Sequence, residues 1–163
     1  MPLSANISNL VPILGTIISI RPQSGNCGSL MMSLSTDNGP VTFILSSGTH
    51  VIDSTRLRTG MRVVAYYDNS RPMPLIFPSQ YQAALVAVLR PGEQVLLSRF
   101  DRNLIAQGNA LRLNVAPTTT VRSLNGQNFT CQLGGRDLLV FYSNTTRSIP
   151  PQTTPRKVIV FPS

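Results

Sequence analysis

The sequence predicts an all-β fold built from two tandem, pseudo-symmetric small β-barrels packed into one compact unit. Three observations predict it. Short runs of β-branched and aromatic residues recur every eight to twelve positions or so, separated by clusters of Gly, Pro, Asn and Ser. Helical periodicity is nearly absent, and 13 prolines lie scattered between the runs, where they end strands or mark sheet edges. A stretch of the first half also returns in the second. Gly60-Met61-Arg62-Val63-Val64-Ala65-Tyr66-Tyr67-Asp68-Asn69-Ser70 matches Gly135-Arg136-Asp137-Leu138-Leu139-Val140-Phe141-Tyr142-Ser143-Asn144-Thr145, in the order glycine, apolar run, aromatic pair, then Asn with a hydroxyl residue.

Taken along the chain, strands are expected near Ile13–Ile20, Leu30–Leu34, Val41–Leu45, Met61–Asp68, Gln82–Leu89 and Gln94–Ser98. Further strands are expected near Ala110–Val115, Thr120–Leu124, Asn128–Leu133, Asp137–Ser143 and Lys157–Phe161. Asn38-Gly39 and Asn125-Gly126 stand between apolar runs and read as hairpin turns. Ser79–Arg90 alone suits a short helix, since Gln, Ala and Leu are good helix formers. Its counterpart, Lys157-Val158-Ile159-Val160-Phe161, is short and β-branched, so both are read as strands. Helix is confined to a turn near Asp53–Thr59, with Asp53, Ser54 or Thr55 as its N-cap.

The repeat extends beyond its central strand. Val41–Leu45 followed by Thr49 and Val51 corresponds to Leu111–Val115 followed by Thr119 and Val121. After the aromatic pair each copy enters a proline-punctuated stretch, Pro74–Pro78 and Pro151–Pro155, and closes on an apolar segment. The expected organisation is therefore an N-terminal arm over residues 1–9, one barrel over 10–88 and a second over 89–163. Both faces of the repeated strand are apolar, so burial against the twin is expected, with a homodimer as the alternative.

Composition narrows the function classes. The 163 residues carry 42% hydrophobic side chains, enough for a core, but only 12% charged ones. The net charge is +8, and all but one of the 14 cations are arginine. Met1–Leu14 has no basic n-region or long apolar stretch, so no secretory signal is expected. The longest apolar run, Ala83–Leu89, falls well short of the ~20 residues a membrane span needs, and a cytoplasmic setting without membrane insertion is expected. Cys27 and Cys131 belong to no CxxC pattern. Cys131 alternates with Phe129 and Leu133 and reads as a small buried residue, while Cys27 lies in a turn-rich loop.

Leu57-Arg58-Thr59-Gly60-Met61-Arg62-Val63-Val64-Ala65-Tyr66, preceded by Thr49-His50-Val51, resembles the start of a strand in bacterial OB-like modules, where leucine and then Gly-x-x-Val follow a Thr-x-Val strand. Gly15-Thr16-Ile17-Ile18-Ser19-Ile20 resembles a first strand of that kind. The resemblance covers about half of the first repeat. In the second, Leu133-Gly134-Gly135 replaces the Leu-x-x-Gly spacing. It implies an OB-like barrel and names no activity.

Catalysis is not expected. His50 is the single imidazole, near Asp53, with no nucleophile motif beside it, and its repeat counterpart is Thr120. One His, two distant Cys and six acids give no metal-ligand cluster, and neither Gly25-Asn26-Cys27-Gly28 nor Leu133-Gly134-Gly135-Arg136 has the lysine and helix of a phosphate loop. No cofactor is expected. The protein reads as a non-catalytic binding or structural module. The alternative is a single-stranded nucleic-acid or polyanion binder using Arg56, Arg58, Arg62, Tyr66 and Arg71 as a basic, aromatic face. In the second half Arg136, Arg147 and Arg156 stand around Phe141 and Tyr142.

Overall fold

Alternation of apolar and polar residues puts one row of side chains from each strand on a common face, and closing the sheet hides that row from water. The computed structural model describes residues 6–162 and divides the chain into two units, one ending at Arg90 and one beginning at Pro91. Among the described residues there are strands, turns and three-residue 3₁₀ turns, and no α-helix. Residues 1–5 of the expected arm and the side chain of Cys27 lie outside what is described.

The first unit contains β1 (Leu10–Gln23), β2 (Asn26–Thr36), β3 (Gly39–Leu45), β4 (His50–Val51), β5 (Arg62–Asp68) and β6 (Ser79–Val88). The sheet runs β3-β2-β1-β5-β6, and a parallel pairing of β3 with β6 closes it into a five-stranded barrel. The short strand β4 lies parallel to β6. Ile17, Met32, Leu34, Phe43, Leu45, Val63, Ala65, Ala83 and Val86 fill the interior. Gly15 is required where β1 meets β2, because a Cβ there would come within 2.8 Å of the Ser35 carbonyl oxygen. The turn at Asp37-Asn38 joins β2 to β3, with Gly39 at φ 104°, as the Asn-Gly pair predicts.

The second unit contains β7 (Gln94–Phe100), β8 (Arg112–Leu113), β9 (Thr120–Ser123), β10 (Arg136–Tyr142), β11 (Gln152–Thr153) and β12 (Lys157–Val160). Its main sheet runs β7-β10-β12-β9, and β8 pairs parallel with β11. Phe100, Ala106, Leu111, Leu113, Leu138, Val140, Val158 and Val160 make its core. Several bonds have a counterpart in the first unit. Gly60 N–H donates to Ile17 O at 2.8 Å and Gly135 N–H to Phe100 O at 2.9 Å; Leu89 N–H donates to Arg62 O at 2.8 Å and Phe161 N–H to Asp137 O at 3.0 Å. His50 pairs with Leu85 on a parallel strand, and Thr120 with Lys157 in the same way.

The second unit also departs from expectation. Asn128–Leu133 is not a strand. The turn at Asn125-Gly126 forms, but the ladder stops after one bridge between Arg122 and Asn128. Phe129 and Leu133 then pack on the core without a ladder, and Cys131 is an exposed free thiol rather than a buried residue. Alternation lines residues up on a face, but it does not by itself supply a bonded neighbour. Ala110–Val115 keeps only two ladder residues, Arg112 and Leu113. The proline-rich stretches match differently as well. In the first unit Pro74–Pro78 precedes β6, whereas in the second Gln152-Thr153 already forms β11. The turn at Ile52–Ser54 has no side-chain cap, and Asp53 sits inside it at φ 61°.

Candidate functional site

The candidate arginines are positioned by the segment that leads into β5. After the turn at Ile52–Ser54 the chain carries Arg56 and Arg58, both exposed, toward the barrel rim. Met61 N–H donates to Arg58 O at 3.3 Å, and the Arg58 N–H meets the Met61 sulfur at 3.4 Å. Gly60 and Met61 bond Ile17 on β1, which pins the segment to the barrel. Arg62 opens β5 and is half-buried, opposite Thr16. The bond from Leu89 to Arg62 brings exposed Arg90 to the same end, a residue not singled out from the sequence.

Two members of the predicted set do not join this group. Arg71 lies beyond the other end of β5, with its Nε 3.6 Å from Asp68 Oδ2. Tyr66 is 2% exposed, so its ring has no free face for a base to stack on. Burial pushes its phenol well above the ordinary range. Tyr67 stacks on Tyr81 with ring centroids 4.4 Å apart, and burial raises its phenol too.

The acids of the first unit are distributed unevenly. Asp37, in the β2–β3 turn, and Asp68, at the end of β5, lie at the barrel end away from Arg56, Arg58, Arg62 and Arg90. Asp68 accepts the Ser70 hydroxyl at 2.6 Å and the Ser70 N–H at 2.9 Å. These bonds, with Arg71 beside them, hold its carboxyl below the usual range. Asp53 is the acid nearest in sequence to Arg56 and Arg58.

In the second unit Arg136 and Arg156 are engaged within the protein. Arg156 makes a bidentate pair with Glu93, at 2.7 Å from Nε and 2.8 Å from the second nitrogen, and Glu93 is only 1% exposed. Its guanidinium also lies 5.5 Å from the Phe141 ring, with Lys157 Nζ at 4.7 Å from that ring. Arg136 donates to Gln132 O at 2.7 Å and covers Phe129 at 5.0 Å. Arg147 is exposed in the β10–β11 loop. The sequence offered no spacing signal for the Glu93–Arg156 pair, because 63 positions separate the two residues. His50 is half-buried in β4.

Among the described residues no helix is long and apolar enough to cross a membrane. No known protein family matches the chain, and neither does any curated protein. Among solved structures, apo TiaS (tRNAIle2 agmatidine synthetase) is similar at a TM-score of 0.36 and 13% identity, over 55% of this chain and 20% of that one. A tRNA fluorescent labeling enzyme is similar at a TM-score of 0.36 and 11% identity, over 90% of this chain and 32% of that one. The chain thus spans about a third or less of these neighbours, and likeness this slight assigns it no activity.

Proposed function

We propose that the protein is a non-catalytic binding module made of two tandem OB-like barrels. The strand order β3-β2-β1-β5-β6 with parallel closure supports the barrel reading for the first unit. The matched hydrogen bonds around Gly60 and Gly135, and around Leu89 and Phe161, support a common ancestral half. In this reading the second copy has lost its long β2 and has a loop there instead. A cytoplasmic setting suits the exposed thiol of Cys131.

For the ligand, one observation favours a polyanion, single-stranded nucleic acid foremost. Arg56, Arg58, Arg62 and Arg90 converge on one end of the first barrel, while Asp37 and Asp68 lie at the other. A protein that neutralises phosphates with arginine releases counterions, and its affinity then falls steeply with salt. The test is fluorescence anisotropy with a labelled single-stranded oligonucleotide at low ionic strength. Arg56→Ala with Arg58→Ala should weaken binding about tenfold or more, while Arg71→Ala, at the other end, should have little effect. Equal losses from the two ends would refute the assignment of the site.

A further inference from the structure

We propose that the second unit holds a phosphate-binding site in the cavity between the Asp101–Asn109 loop and the turn that leads into β10. The cavity has a volume of about 450 Å³, and its wall includes Arg99, Arg102, Gln107, Asn109 and Gly135. That volume falls within the range of small-molecule sites, roughly 300–1,000 Å³.

The site is built by a departure from the first unit. Where β1 there turns into the long β2, the chain here leaves β7 and folds on itself. Asp101 Oδ1 accepts the N–H groups of Asn103 at 2.8 Å and Ile105 at 3.0 Å, and Leu104 N–H donates to Asp101 O at 2.9 Å. Leu104 and Asn109 adopt φ 60° and 55°, left-handed conformations that turn the chain back on itself. Gly134, in the turn that leads into β10, has its explanation here. A Cβ on Gly134 would lie 2.8 Å from Arg102 Cα, so a side chain at that position would push Arg102 away.

The charges in the wall suit an oxyanion. Arg102 is exposed, and no side-chain partner holds its guanidinium among the described residues. Arg99 meets Asp137 Oδ1 through one nitrogen at 3.4 Å, a long contact that leaves the rest of its fork available. Asp101 is the acid of the wall, and Oδ1 is already engaged by the loop. Two guanidinium forks with the amides of Gln107 and Asn109 match the geometry and charge of a phosphate group better than a neutral ligand. The remaining volume admits a group esterified to it, so the phosphate could be free or part of a nucleotide.

The experiment is an amide NMR titration of the full chain with inorganic phosphate, and in parallel with a nucleoside monophosphate, at low ionic strength. Saturable shifts should centre on residues 99–109 and 134–136. Arg102→Gln should weaken binding about tenfold while the spectrum stays dispersed. Asp137→Asn, which frees Arg99, should tighten it. Tighter binding of the nucleotide would identify an ester as the ligand, and equal binding would identify the free ion. No saturable shift with either probe, or unchanged affinity in Arg102→Gln, would overturn the proposal.

Discussion

Thr49 and Thr119 do the same work in the two units. Thr49 Oγ1 accepts the Ser46 N–H at 3.0 Å and donates to Ala83 O at 2.7 Å. Thr119 Oγ1 accepts the Ala116 N–H at 3.2 Å and donates to Pro155 O at 2.8 Å. Each hydroxyl ties the turn before a short strand to the backbone of the segment beside it, to Ala83 within β6 in one unit and to Pro155 just before β12 in the other. Thr49→Val and Thr119→Val keep the shape and leave a backbone donor and acceptor without the hydroxyl. Each should lower stability by about 1–2 kcal/mol in urea unfolding. A change near zero in both would show that the shared bond is incidental.

Glu93 is nearly fully buried against Arg156, and removing one charge of such a pair strands the other. Arg156 is partly exposed, with 27% of its side-chain surface accessible, so water offsets some of the loss. Glu93→Gln should therefore cost about 2–3 kcal/mol, below the upper range for fully buried pairs. Thermal unfolding of the full chain checks this, and an unchanged Tm would contradict it.

Burial raises the phenols of Tyr66, Tyr67 and Tyr142 above the ordinary 10.0. The sign follows from linkage. A folded-state pKa above the unfolded one gives stability that is complete below the unfolded pKa and is lost as pH rises toward the folded pKa. Stability should therefore hold up to the ordinary tyrosine range and fall as pH climbs beyond it. Tyr66→Phe should make that fall shallower. Denaturant midpoints measured across alkaline pH test this, and an equally steep decline in the variant would show that Tyr66 is not its source.

Much of the fold was legible because strands declare themselves locally. Val63 and Ala65, two positions apart, share the barrel interior as a strand's period requires, and the repeat of Gly60–Tyr67 in Gly135–Tyr142 reads the ambiguous segment before Leu89 as a strand. What alternation could not supply was pairing. Asn128–Leu133 has the pattern of a strand, yet no ladder continues past Asn128. The candidate site was legible by half. Arg56, Arg58 and Arg62 are close in sequence and stay together, but Arg90 joins them through the β5–β6 pairing, which no spacing shows. Tyr66 was misjudged as a stacking platform because both faces of β5 are buried. The cavity beside Arg102 is walled by the Asp101–Asn109 loop, which lies between two expected strands and carried no signal of its own, so only three-dimensional structure brings Arg99, Arg102 and Gly134 together.

The salt dependence of oligonucleotide affinity tests the binding reading most directly. For single strands the slope of log K against log salt is about 0.7 per phosphate contact. The wild-type chain should show a steep negative slope, and Arg56→Ala with Arg58→Ala should flatten it by about 1.4, the amount for two lost contacts. A slope near zero in the wild type, or one the double variant leaves unchanged, would contradict the account.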